Sequence, residues 1–232
     1  MTHHRICAIH QPNLFPRAST VAKLLAADVW VVLDNVQFNA RDYQHRMRLA
    51  PVADPTQAVW LTLPAHRPRG RASLIGEVRL AEPVSSARRL MQLPKQYYGS
   101  RLYWPEVAKL LEAVVPLVVP SGHLTDVAEA STRVILRALG WQGQIVRSST
   151  FNVHPERSQR LADLTAATGS SEYLCGPGGA RYLDEKPFAE LGLGVRYVSV
   201  PSSLAPDQNR LSVLGQIATE GLNSCRPMRD NR

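Results

Sequence analysis

The chain is poor in lysine and poorer in cysteine. Of its 27 basic residues only Lys23, Lys95, Lys109 and Lys186 are lysines. Its three cysteines, Cys7, Cys175 and Cys225, are odd in number and have no CxxC spacing. That excludes a disulfide framework and a paired-thiol motif, and reads as free thiols in a reducing, cytoplasmic setting, with Cys7 and Cys175 as small core residues. The seven histidines show no metal-ligand spacing with them. No run of about 18 apolar residues is present, so no segment spans a membrane. The opening MTHHRICAIHQPN holds no apolar stretch of the length a secretory signal needs. GxGxxG, the Walker-type GxxxxGK and GxSxG are all missing, which removes the usual phosphate fingerprints and the nucleophile elbow. No repeat or low-complexity tract occurs.

What is there suffices for a core: 232 residues, 44% hydrophobic, room for one large domain or two small ones. The formal charge is +8, unevenly spread. Residues 1–100 hold 13 Lys and Arg against six Asp and Glu, whereas residues 101–232 hold 14 against 13. A basic excess of this kind either solvates a surface or attracts phosphate, nucleotide or RNA. Arg67, Arg69 and Arg71 crowd one Pro/Gly-interrupted loop.

The hydrophobic pattern predicts strands at 5–9 and 28–34 around a helix at 17–27. The Val-rich run DVWVVLD is the signature of a strand buried on both faces. Strand, helix and strand within thirty residues form a βαβ unit, which makes parallel sheet. Further strands are expected at 58–64, 74–80, 144–150, 171–175 and 195–201. Helices are expected at 84–98, 105–119, 123–140, 158–169, 180–192 (broken near Pro187) and 208–221. Residues 36–49 and 66–73 read as loops. The fold class is α/β, a parallel or mostly parallel Rossmann-like sheet flanked by helices. One domain runs to residue 206, followed by a C-terminal helix and tail at 207–232.

Three predicted strands end in polar or glycine-rich turns: His10-Gln11-Pro12-Asn13, Asp34-Asn35-Val36-Gln37 and Gly176-Pro177-Gly178-Gly179. In a parallel sheet such ends lie at one edge, where α/β proteins build their sites. Pro12 and Pro16 stiffen the first loop. His10 is a candidate general base or oxyanion donor, since its ordinary pKa is near neutrality. It is also readable as a structural histidine. Asp34, closing an apolar strand, needs a partner: it either caps the next segment or orients His10 or a substrate amine. Arg46 can grip a carboxylate or phosphate, or sit in a surface salt bridge. CGPGGARYLDE can bind an anion, or be a packing turn. Arg147-Ser148-Ser149 carries hydroxyls that nothing nearby in sequence activates, and YYGSRLYW can stack on a base or pack a helix end.

IHQPNLFP, then ADVWVVLDNVQF, YQHRMR and WLTLP, resembles the WbqC-like family. YYGSRLYWPE, RSST followed by ERSQRLADL, and YLCGPGGARYLDE extend the resemblance, which covers residues 5 to about 200. It implies a bacterial polysaccharide or specialised-metabolite pathway, and transfer of glycine or a similar acyl group to an amino sugar. His10, Gln11, Asn13, Asp34, Gln37, Gln44 and Arg46 match the family motifs, as do Gly176, Pro177, Gly178 and Gly179. Three stretches depart: Arg17 of FPRAST replaces an aromatic, Asn35 replaces a second acid, and VPSSLAP stands where an aromatic-His-Pro stretch is expected.

The expectation is therefore a transferase in which His10 and Asp34 are catalytic. Gln11, Asn13, Gln37, Gln44, Arg46 and the glycines 176, 178 and 179 bind substrate. The partners expected are a small-molecule acceptor and an anionic acyl donor, with thioester, acyl adenylate and aminoacyl-tRNA all open; no metal and no membrane enter. A cofactor is not assigned. Two alternatives stand beside it: a nucleotide-dependent ligase or nucleotidylyltransferase, and a non-catalytic accessory protein.

Overall fold

A computed structural model describes residues 4–198 and 208–226. In chain order the elements are β1 (Ile6–His10), α1 (Ala18–Leu25), β2 (Val29–Val32), β3 (Arg46–Leu49), β4 (Val59–Thr62), β5 (Ala65–His66), β6 (Arg79–Leu80), α2 (Pro83–Tyr98), α3 (Trp104–Ser121), α4 (Leu124–Ala138), β7 (Gln144–Arg147), α5 (Arg157–Ala167), β8 (Glu172–Cys175), α6 (Pro177–Ala180), α7 (Lys186–Glu190), β9 (Gly194–Tyr197) and α8 (Val213–Glu220). They fall into two compact units interleaved along the chain.

The first unit gathers Met1–Gln11, Lys23–Asp34 and Gln142–Ser202. Its centre is a five-stranded sheet ordered β7-β2-β1-β8-β9, and every pairing in it is parallel. Val29, Trp30, Val31 and Val32 of β2 are all fully buried, as a strand covered on both faces requires. The core of the unit joins Cys7, Ile9, Val29, Val31, Tyr173 and Cys175 from the strands to Ala162, Leu164 and Phe188 from α5 and α7. Tyr173 stacks on Phe188 with ring centroids 5.3 Å apart. In this order the chain steps outward from β1 through β2 to β7, then crosses back to β8 on the other side of β1. The reversal between β1 and β8 is the switch point of a Rossmann-like sheet, where the connections diverge and leave an open edge at the carboxyl ends.

The second unit comprises Pro12–Ala22, Asn35–Trp141 and Ser203–Arg232. Within it α3 packs against α2, α4 and α8, burying Leu90, Val107, Leu111, Val114 and Ile217. Gly122 closes α3 in the left-handed region at φ 61°, the conformation glycine adopts at least cost.

Three expectations about strands are corrected here. Residues 46–49 lie in the stretch read as a loop, yet they form β3, because Met47 and Leu49 alternate inward while Arg46 and Arg48 do not. The strand expected at 58–64 is β4, but it pairs antiparallel with β3 in a separate two-stranded sheet. Of the strand expected at 74–80 only Arg79–Leu80 is extended, after a 3-10 turn at Ile75–Glu77. The VPSSLAP departure lies outside the described residues, and the helix expected at 208–221 is a 3-10 turn at Gln208–Arg210 followed by the shorter α8.

Candidate functional site at the carboxyl edge of the parallel sheet

Strand register sets the edge. His10 is level with Val32, and Val32 with Arg147. Cys7 is level with Tyr173, so Gly176, three residues further on, reaches the level of His10. The ends of β1, β2, β7 and β8 thus present His10-Gln11, Asp34, Ser148-Ser149 and Gly176–Gly179 along one side of the sheet.

His10 is half-buried, and its Nδ1 lies 2.7 Å from the Gln11 carbonyl oxygen. A carbonyl only accepts, so Nδ1 carries a proton, and in the neutral imidazole the lone pair falls on Nε2. The His10 carbonyl is itself held, accepting from Leu33 N–H at 3.0 Å and Trp30 Nε1–H at 3.2 Å. These bonds fix the backbone from which the imidazole projects.

Asp34 is buried, and its carboxylate is tied across the sheet. Ser148 Oγ donates to Oδ1 at 2.9 Å, Ser149 N–H to the same oxygen at 2.9 Å, and Ser149 Oγ to Oδ2 at 2.7 Å. The Asp34 N–H returns a bond to Ser148 Oγ at 3.1 Å. The role seen is a cap, placed not on the segment that follows Asp34 in the chain but on the 3-10 turn Ser148–Thr150 after β7. The same bonds engage both hydroxyls of the serine pair.

The expected turn 176–179 is itself mostly helical: Gly176 is the N-cap and Pro177 to Gly179 begin the single-turn helix α6. A Cβ on Gly179 would lie 3.0 Å from the Cys175 sulfur, so this glycine has a packing reason. A Cβ on Gly178 would meet nothing within 4 Å, and one on Gly176 would sit 3.5 Å from Lys23 Cδ and 3.8 Å from Nζ.

Lys23 is the site residue that sequence reasoning missed. It projects from α1, is 6% exposed, and donates to the Ile9 carbonyl at 3.0 Å. Its Nζ also lies 5.7 Å from the Tyr173 ring centroid. Among the described residues no carboxylate pairs with it. Burial pulls its pKa down from 10.5 to about 8, a shift the Cys175 and Cys7 thiols only partly oppose. Those thiols are buried and free. Desolvation holds Cys7 up at about 11 and raises Cys175 as well, so both remain protonated and unreactive. A signal for Lys23 did exist: a lone lysine amid Val21, Leu24 and Leu25 on an apolar helix.

The remaining expected residues belong to the second unit. Asn13 is buried, and its carbonyl accepts from Ser131 Oγ at 3.2 Å and Thr132 Oγ1 at 3.0 Å. Leu14 N–H donates to the Tyr43 carbonyl at 2.9 Å, and Phe15, at φ 39°, donates to Ser131 Oγ at 2.8 Å. These bonds, with the two prolines, make the loop rigid. Gln37 is exposed and donates to the Arg71 carbonyl at 2.7 Å. Gln44 is fully buried. Its neighbour His45 is also buried, which with Arg46 and Arg67 lowers its pKa to about 4 and keeps it neutral. Arg46 makes no ion pair among the described residues. It donates to the Asp42 and Arg41 carbonyls and lies 4.0 Å over the Trp60 ring. YYGSRLYW links α2 to α3, and its Tyr98 is buried with the hydroxyl accepting from Ala50 N–H at 3.4 Å. Among the described residues no three His, Cys, Asp or Glu stand together as metal ligands, and no helix is long and apolar enough to cross a membrane.

Fold and edge together define a Rossmann-like α/β protein whose polar groups collect at the switch point of a parallel sheet. The chain belongs to the WbqC-like protein family, whose model matches residues 11–221. It is similar to the uncharacterized protein Rv1507c of Mycobacterium tuberculosis, 24% identical over 194 residues that cover 82% of this chain and 80% of that one. No solved structure matches the chain.

Proposed function

We propose that this chain is a biosynthetic transferase that moves an acyl or aminoacyl group, glycine-like in size, onto an amine or hydroxyl of a small acceptor such as an amino sugar. The observation that supports the reading is His10: a half-buried imidazole at the switch-point edge, with Nδ1–H held by the Gln11 carbonyl, so that in its neutral form the basic nitrogen is Nε2. In the proposed reaction Nε2 takes the proton from the acceptor as its nitrogen or oxygen attacks the donor carbonyl. The donor's leaving group departs, and the proton returns to it. Lys23, beside Gly176 and without a carboxylate, supplies positive charge next to the turn where an anionic donor would lie. Asp34 keeps the ends of β2 and β7 together, a positioning role.

The test is a transfer assay read by mass spectrometry. Purified protein is offered glycyl thioester, glycyl adenylate and glycyl-tRNA, each with a set of amino sugars. An acylated acceptor that depends on His10 is expected. No transfer from any donor class, or transfer untouched by His10→Ala, rejects the reading. A ligase reading gains support from the switch-point strand order, since such edges also hold nucleotides. It requires that product appear only with ATP and Mg²⁺.

A further inference from the structure

In the second unit, β3 turns one face to the core and the other to a row of cations. Met47 and Leu49 are fully buried, and Arg46 and Arg48 alternate with them, so both arginines stand on the opposite face. Trp60 is directly across from Arg48 in the antiparallel register and shares that face. The Arg46 guanidinium lies 4.0 Å from the Trp60 ring centroid and that of Arg48 5.8 Å. Tyr43 packs beside the indole at 5.3 Å, and Arg17 lies over Tyr43 at 4.7 Å. All five side chains are half-buried.

Among the described residues no acid pairs with these three cations. Three other arginines do meet acids: Arg69 with Glu77, Arg196 with Glu172, Arg133 with Glu129. Here Arg46 gives two donors to backbone carbonyls. Arg17 and Arg48 make no side-chain hydrogen bond among the described residues, and the Nε of each is buried without an acceptor. The nearby Asp42 carboxylate accepts from the Tyr43 N–H at 2.8 Å. Leaving a buried N–H unmet destabilises a fold, and so does crowding like charges. Stacking accounts for the guanidinium faces only. The N–H donors of arginine lie in the plane, as a fork directed away from the ring.

We propose that Arg17, Arg46 and Arg48, stacked on Tyr43 and Trp60, form a binding site for a phosphate ester. A phosphate offers three oxygens and nearly two charges, enough to engage two guanidinium forks at once, whereas a carboxylate presents one edge. The site lies wholly in the second unit and stands independently of His10.

The test is calorimetric titration of the full chain at about 50 and 200 mM salt with adenosine 5′-monophosphate, glucose 6-phosphate, bulk tRNA and, as a carboxylate control, acetate. At least one phosphate ester should bind the wild type at low salt while acetate does not. Binding to a monophosphate identifies a small ester as the source; binding to tRNA alone identifies a polynucleotide. Arg17→Ala with Arg48→Ala should weaken binding about ten-fold or more, on the scale of a lost charge-assisted bond. Should that pair fail to fold, the single variant Arg17→Gln, checked by thermal melt, should still weaken it several-fold. No phosphate-ester binding at low salt, acetate binding as well as the esters, or full affinity in a folded variant overturns the proposal.

Discussion

The Lys23 ammonium is held 6% exposed against one carbonyl, in surroundings that favour the neutral amine. Its pKa of about 8, against the ordinary 10.5, corresponds to about 3 kcal/mol of differential interaction. Below pH 8 both folded and unfolded chains carry the proton, and the folded one bears the cost of burying it. Between about 8 and 10.5 the unfolded chain binds more protons, so stability must rise with pH there. Lys23→Met should remove that rise and stabilise the protein at pH 7 by up to about 3 kcal/mol in urea unfolding. A Met variant less stable at pH 7 would show that the bond to Ile9 outweighs desolvation. Removing the Asp34 side chain should destabilise instead. Its carboxylate accepts three hydrogen bonds from Ser148 and Ser149, so Asp34→Ala should cost about 3 kcal/mol. An unchanged denaturation midpoint would mean that the bonds it makes at the end of β7 hold nothing together.

At the scale of elements, the turn after β8 separates two glycines that look alike in sequence. Gly179→Ala drives a methyl against the Cys175 sulfur at 3.0 Å and should cost about 1–3 kcal/mol. Gly178→Ala meets nothing and should be neutral or stabilise by up to about 1 kcal/mol. Thermal melts of the pair decide it, and equal melts would contradict the packing. What was legible follows a physical rule. The strands β1, β2 and β8 were readable because burial on both faces leaves an unbroken apolar run. In β3 the polar half of the alternation is two arginines, which read as loop, so its inward Met47 and Leu49 were passed over. His10 was legible because two prolines follow it. Asp34's partners were not, because Ser148 lies 114 residues away and only the parallel register brings it alongside. Lys23 was hidden by its helix, whose apolar stripe drew the eye to Val21 and Leu24.

For the whole molecule, interleaving matters more than composition. The carboxyl edge draws on residues 10, 34, 148 and 176, from three stretches of chain that the second unit interrupts. Net charge is a weaker guide. In the loop that concentrates arginine, Arg69 is tied to Glu77 at 2.7 Å, a half-exposed pair of small energetic weight. Arg17, Arg46 and Arg48, which make no ion pair among the described residues, stand instead on the Tyr43 and Trp60 rings. In the proposed group transfer the base is His10, whose Nδ1–H is held by the Gln11 carbonyl at the switch point. The measurement that reaches this role most directly is product formation by His10→Ala beside its thermal melt. The account predicts at least a 100-fold loss of turnover, about what general base catalysis contributes, with the melting temperature unchanged. Full turnover in a normally folded variant would contradict it.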